Sequence, residues 1–102
     1  MNYILSLDQG TTSSRAILYD EAGQSVRQAQ QEFRQIFPKS GWVEQEPADI
    51  LSSQLNVAEQ LISNLSADDK IQALGISNQR ETTILWDKNT GKPVHNAIVW
   101  QD

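Results

Sequence analysis

Asp8-Gln9-Gly10-Thr11-Thr12-Ser13-Ser14-Arg15 sets one carboxylate, one glycine, four hydroxyls and one guanidinium in eight consecutive positions. Apolar runs flank it, Ile4 to Leu7 on one side and Ala16 to Tyr19 on the other. Such runs predict two strands with a turn between them. A plain hairpin needs only two to five residues of turn chemistry. This turn carries far more hydrogen-bonding capacity, next to an acid, and that inventory suits a phosphate group and a divalent cation. Backbone N–H groups in a turn can converge on an anion, and Gly10 allows a positive φ and the close approach of a phosphate. Thr11, Thr12 and Ser13 can add hydroxyl donors, and Arg15 can neutralise phosphate charge. Asp8 can hold Mg²⁺, which keeps most of its waters and takes one or two protein carboxylates. The composition fits equally a hairpin whose Asp8 and hydroxyls bond their own backbone. Neither G-x-x-x-x-G-K-[ST] nor G-x-G-x-x-G is present.

A second polar cluster, Ser77-Asn78-Gln79-Arg80-Glu81-Thr82, lies between two apolar runs. Arg80 donates in a fork and Glu81 accepts through two oxygens. Adjacent donor and acceptor suit a ligand with neighbouring hydroxyls. The same residues could form a solvated turn with a surface ion pair worth ~0–1 kcal/mol. Trp100 closes the last apolar run, where an indole can cover the C–H face of a small polyol; an isolated tryptophan is also an ordinary core residue. Trp42 and Trp86 are read as structural, and His95, the single histidine, takes no catalytic role.

The elements that must position these groups follow from periodicity. Ile4–Asp8 and Ala16–Tyr19 form an antiparallel pair, and Glu21-Ala22-Gly23 a turn. Ser25–Phe33 alternates weakly and predicts a third strand near an edge. Pro38–Pro47 is a loop carrying Trp42 and Val43, partly packed on the body. Pro47 suits the first turn of a helix, with Glu46 a poor N-cap and Asp49 well placed for the helix dipole. Leu51, Leu55, Ala58, Ile62 and Leu65 recur at helical spacing, widened by Ile50 and Leu61, which predicts an amphipathic helix of about five turns. Ser66–Lys70 breaks it. Ile71–Ser77 is expected as a buried strand and Thr82–Asp87 as another. Lys88–Pro93 is a turn, and Val94–Trp100 a final extended stretch. The fold class is α/β, a mixed sheet with one main helix on a face.

A chain of 102 residues is at most one ordinary domain. The formal charge of −5 argues against non-specific nucleic-acid binding. With no cysteine, disulfides and thiolate metal sites are excluded. No apolar run reaches membrane-spanning length and no signal peptide is visible, so the expectation is a cytoplasmic protein without a membrane partner. The apolar run ending at Asp102 looks like the middle of a domain, which suggests an N-terminal piece of a longer protein. Such a piece is expected to fold, to leave an apolar sheet edge open and to self-associate.

The segment Leu7 to Arg15 resembles the opening of the FGGY carbohydrate kinases. Three more segments agree in order: Gly41-Trp42-Val43-Glu44-Gln45-Glu46-Pro47, Gly75 to Thr83, and Asn96-Ala97-Ile98-Val99-Trp100-Gln101-Asp102. The first motif alone indicates the wider actin-like ATPases, whereas Asn78-Gln79-Arg80-Glu81-Thr82-Thr83 with the later Ile98-Val99-Trp100-Gln101 resembles the glycerol-specific branch. Ser40 stands where proline is common and Glu46 where aspartate is usual. The resemblance implies a ribonuclease H-like, actin-type fold, with residues 1–102 as the N-terminal part of the first, substrate-side domain. It implies a cytoplasmic, homo-oligomeric parent enzyme that transfers the γ-phosphoryl of ATP, with Mg²⁺, to glycerol and yields sn-glycerol 3-phosphate. Thr11, Thr12, Ser13 and Arg15 would contact the nucleotide phosphates, and Asp8 would orient the metal, through water. Arg80 and Glu81 would hold glycerol hydroxyls and Trp100 pack on its carbons. The general base, an aspartate, would lie beyond residue 102, as would a glycerol-contacting tyrosine and the adenine-binding domain, so this piece alone is expected to be inactive. Two other readings stay open: a kinase of a larger polyol or sugar such as a pentulose, and a non-catalytic actin-like nucleotide-binding module.

Overall fold

Alternation along the second strand decides where the core lies. The computed structural model describes residues 1–99. Its elements are β1 (Asn2–Gln9), β2 (Ser13–Tyr19), β3 (Ser25–Glu32), β4 (Val43–Gln45), α1 (Pro47–Ile62), β5 (Lys70–Ser77), β6 (Thr82–Thr83) and β7 (Ala97–Val99). Ser14, Ala16 and Leu18 of β2 are buried beneath α1, while Ser13, Arg15, Ile17 and Tyr19 occupy the other face. Leu5, Ala16, Leu18, Val57, Ala58 and Leu61 form the core, with Tyr3, Leu7, Ala29, Leu65 and Ile71 packed against it.

The main sheet has the order β3-β2-β1-β5. Its first two pairings are antiparallel and β1–β5 is parallel, so the sheet is mixed. Parallel neighbours need a long crossover, and α1 supplies its helix. Asp69 fastens the entry to β5: its carboxylate accepts from the Ser66 N–H at 3.0 Å and pairs with the Met1 ammonium at 3.1 Å. Those two contacts, the Ser66 N–H foremost, hold its pKa below the ordinary 3.8.

A second sheet, β4-β7-β6, was not expected. Val43–Gln45 lies in the Pro38–Pro47 stretch that the sequence predicts as a loop, yet it pairs with Ala97–Val99. Three-residue strands carry too little pattern to be seen in sequence. The expected strand Thr82–Asp87 shrinks to Thr82–Thr83, with a lone bridge from Trp86 to Pro93. Between them Asp87 caps the turn, accepting from the N–H groups of Asn89 and Thr90, and Gly91 takes a φ of +73°.

The helix begins at Pro47 as expected, and the Glu46 side chain makes no cap bond. Its buried face differs from the predicted stripe. Ser53, Val57, Ala58 and Leu61 are buried, whereas Leu51 is 62% and Leu55 57% exposed. Ser53 wins a core position because its hydroxyl meets that of Ser14 at 2.7 Å, and two small side chains let helix and sheet approach. Leu51 and Leu55 turn instead to an open groove of about 530 Å³, shared with Leu7, Ile50, Ile76 and Ile84. Strand β5, expected to be buried, is mostly exposed, with Leu74 and Ile76 uncovered, because α1 lies over β2 and β3 and not over β5. Among the described residues its outer edge is unpaired, as the open-edge expectation required. Trp42 and Trp86 are also exposed rather than core residues; Lys39 Nζ sits 4.7 Å from the Trp42 ring.

Two stability measurements follow from this packing. Leu18→Ala empties the centre of the core (1% exposed) and is expected to cost about 2–5 kcal/mol in urea unfolding. Glu46→Asp, which supplies the absent cap, is expected to raise the unfolding free energy by about 0.5–1 kcal/mol in the same titration.

Candidate functional site

The hairpin between β1 and β2 is tightly drawn. Gly10 N–H donates to the Ser13 carbonyl at 2.9 Å, leaving Thr11 and Thr12 at the tip. Gly10 is needed for space and not for the positive φ that a glycine permits. Its φ is not positive; a Cβ there would lie 3.1 Å from the Ser13 carbonyl oxygen. The tip carbonyls are occupied: Thr11 O accepts from Gln45 Nε2 at 2.7 Å and Thr12 O from the Phe33 N–H at 3.3 Å. Thr11 and Thr12 are exposed, and their hydroxyls have no partner among the described residues. The tip is therefore held from behind by its carbonyls while its donors face outward.

Asp8 and Arg15 are direct cross-strand partners, on the sheet face away from α1. Ser13 shares that face, its hydroxyl accepting from Gln30 Nε2 at 2.8 Å. Arg15 Nε is buried with no hydrogen-bond partner among the described residues. An orphaned buried cation donor fits an anion better than it fits a structural role. Among the described residues no three acids or histidines gather as a metal cage. A single open carboxylate, Asp8, suits a hydrated Mg²⁺ held through water.

The parallel ladder brings the second cluster to the same place. Asp8 pairs with Ser77, the last residue of β5, so Asn78–Glu81 leaves the sheet beside the hydroxyl-rich turn. Arg80 and Glu81 are both exposed. Glu81 has a φ of +57°, in the left-handed region, a strain that clusters at functional sites. The structure thus brings Asp8, Thr11, Thr12, Ser13 and Arg15 to one sheet end with Arg80 and Glu81 next to them. Trp100 lies outside the described residues. His95 sits apart, its Nδ1 2.9 Å from the Asn96 carbonyl and its Nε2 4.0 Å from Glu44.

Sequence reasoning missed a set of buried amides and hydroxyls behind the site. Gln45 is fully buried and bonds Thr11, Gln35 and Gln79. Ser14, also fully buried, donates to Gln9 Oε1 at 2.9 Å and meets Ser53. The one available signal was the presence of Gln9, Gln45 and Gln79 inside the segments that carry the family resemblance.

Comparison with known proteins agrees with this geometry. Residues 3–102 match the FGGY family of carbohydrate kinases, N-terminal domain. The chain is 63% identical over 102 residues to a glycerol kinase of Marinomonas sp. (strain MWYL1), covering 99% of this chain and 21% of that protein. It is 61% identical to glycerol kinase 2 of Thermotoga maritima, with the same coverage. The chain thus spans about one fifth of the length of the relatives it matches. Among solved structures, Plasmodium falciparum glycerol kinase with ADP superposes with a TM-score of 0.89 at 41% identity, covering 98% of this chain and 20% of that one. A ligand-bound xylulose kinase from Lactobacillus acidophilus gives 0.86 at 26% identity, covering 96% and 19%. The mixed sheet with its helix is the actin-like ATPase fold of these sugar kinases. The family match over residues 3–102 makes this chain a member of the FGGY family of carbohydrate kinases.

Proposed function

We propose that the whole protein phosphorylates glycerol with MgATP, and that this chain supplies the phosphate cradle and part of the acceptor site. The observation that carries the reading is the Asp8–Ser77 register, which sets the hydroxyl-rich turn beside Arg80 and Glu81. The relatives named glycerol kinase, at 61–63% identity, support glycerol as the acceptor.

In the reaction a terminal glycerol oxygen attacks the γ-phosphorus. The bond from that phosphorus to the β-bridging oxygen breaks, and ADP leaves with the electron pair. The hydroxyl proton passes to a base outside this chain. Phosphoryl transfer depends chiefly on positioning and charge stabilisation. Thr11, Thr12 and Ser13 would present donors to the phosphates, and Arg15 would balance their charge. Asp8 would hold Mg²⁺ through water, and the ion when bound supplies neutralisation of the phosphate oxygens. Arg80 would donate to one glycerol oxygen and Glu81 accept from a hydroxyl, fixing which end of the triol meets the phosphate. Trp100 would cover the carbon chain and leave little room for a longer sugar. The reading carries with it residues 1–102 as the start of the substrate-side domain, a cytoplasmic location and a homo-oligomeric parent enzyme. Among the described residues no helix is long and apolar enough to cross a membrane.

The pentulose reading draws on the likeness to xylulose kinase. Substrate screening of the full-length protein separates the two: glycerol is expected to turn over fastest, and faster turnover of xylulose or gluconate would overturn the glycerol assignment. Arg80→Ala is expected to raise the KM for glycerol by roughly 10- to 100-fold, the loss of a charge-assisted hydrogen bond, with little change in the KM for ATP. A non-catalytic nucleotide-binding module predicts no such effect. The 102-residue chain alone is expected to show no glycerol-dependent ATP hydrolysis.

A further inference from the structure

Gln45 is the large polar side chain most deeply enclosed in this fold, at 0% exposure. A buried carboxamide is costly unless its donors and acceptor are used. Gln45 uses them all. Nε2 donates to the Thr11 carbonyl at 2.7 Å and to Gln35 Oε1 at 2.8 Å, and Oε1 accepts from Gln79 Nε2 at 3.1 Å. We propose that Gln45 is a positioning residue that holds the nucleotide turn and the acceptor segment at a fixed spacing, so that both substrates depend on it. The inference rests on the kinase reading above and assigns a role that neither substrate-contacting cluster contains.

The polarity of the link is forced. A backbone carbonyl can only accept, so Thr11 O requires the amide nitrogen of Gln45 to face the turn. That orientation points Gln45 Oε1 at Gln79, which must answer with its own nitrogen. Gln79 Oε1 is then turned away, buried and without a partner among the described residues. One obligate acceptor at the turn thereby fixes two side-chain amides and reaches the residue directly before Arg80. Backbone pairing does not do this work, because the β1–β5 ladder ends at Asp8–Ser77. Past that pair, Gln45 is the crosslink from Thr11 to Gln79. Its own backbone is fixed by β4, whose Gln45 pairs with Ala97 of β7. The left-handed Glu81 lies two residues beyond Gln79, so slack at Gln79 reaches the strained residue directly.

The test uses the full-length protein carrying this chain, with steady-state kinetics in both substrates and melting curves. Gln45→Met keeps the length and removes every bond; both KM values are expected to rise about tenfold, in proportion to one buried hydrogen bond left unmade. A folded Gln45→Met enzyme with either KM unchanged overturns the proposal, as does a lowered melting temperature with both KM values intact. Gln45→Glu can still accept from Gln79 but has no proton for Thr11, so its KM for ATP is expected to rise more than that for glycerol; equal effects overturn the stated polarity. Should Gln45→Met fail to fold, Gln79→Met reads the link from the other end and is expected to raise the KM for glycerol alone, with no change in it counting against the link. Hydrogen exchange at the nitrogen-labelled glutamine side chains provides a readout independent of turnover. Slow exchange at the Gln45 carboxamide is expected, and free exchange would overturn the link. A wild-type protein with no glycerol-dependent turnover would instead overturn the kinase reading and leave that exchange measurement to decide the link.

Discussion

The parallel pairing of β1 with β5 is the constraint on which the rest depends. Asp8 and Ser77 are separated by most of the chain, yet the ladder makes them neighbours. Strand direction then sends both following segments off the same end of the sheet. A slip of one residue would invert the faces and carry Asp8 to the side covered by α1. Register is protected by the burial of Leu5 on β1 and of Ala16 and Leu18 on β2, which leaves only one face of each strand able to pack. A site made of two distant polar clusters therefore rests on apolar residues that belong to neither cluster.

At the site end, the packing changes character. Near the middle of α1, helix and sheet meet through Val57, Ala58 and Leu61. Toward the β1–β2 turn the same layers meet through Ser14, Ser53 and Gln9, and Gln45 of the second sheet reaches the Thr11 carbonyl. Two hydroxyl protons there have three acceptors within reach, Gln9 Oε1, the Ile50 carbonyl and the other serine, so two of the three bonds form at any moment. Apolar contacts would have filled the volume, but they have no direction. Hydrogen bonds to a carbonyl do, and a turn that must present its donors outward gains from having its carbonyls pinned from behind. Buried amides carry a desolvation cost that only complete satisfaction offsets, and Gln45 meets that condition.

Much of the fold was legible beforehand. The β1–β2 hairpin announced itself through alternation and turn chemistry, and α1 through Pro47 and its apolar spacing. Less legible was which apolar stripe would face the sheet. Leu51 and Leu55 are larger than Ser53, and periodicity ranks by size and polarity. It cannot see that a serine on β2 waits opposite Ser53. Strand β5 looked buried because Ile71, Leu74 and Ile76 are apolar; its exposure depends on where α1 lies across the sheet, which is a property of the layer and not of the strand.

The sequence by itself determined the chemistry: the residue types in Asp8–Arg15 and in Arg80–Glu81, and the family they resemble. Those follow from local composition, because a donor or a carboxylate is the same group wherever the chain puts it. Tertiary structure decided their relation. Glutamine at position 45 sits in a segment that shares the family resemblance, but only folding reveals it enclosed between two segments that sequence holds far apart. The physical reason is that a hydrogen bond depends on distance and direction in space, whereas sequence records only order along the chain. Gly10 shows the same division on a smaller scale: its identity implied a tight turn, but that the turn needs space beside the Ser13 carbonyl, and not a positive φ, was settled by the fold.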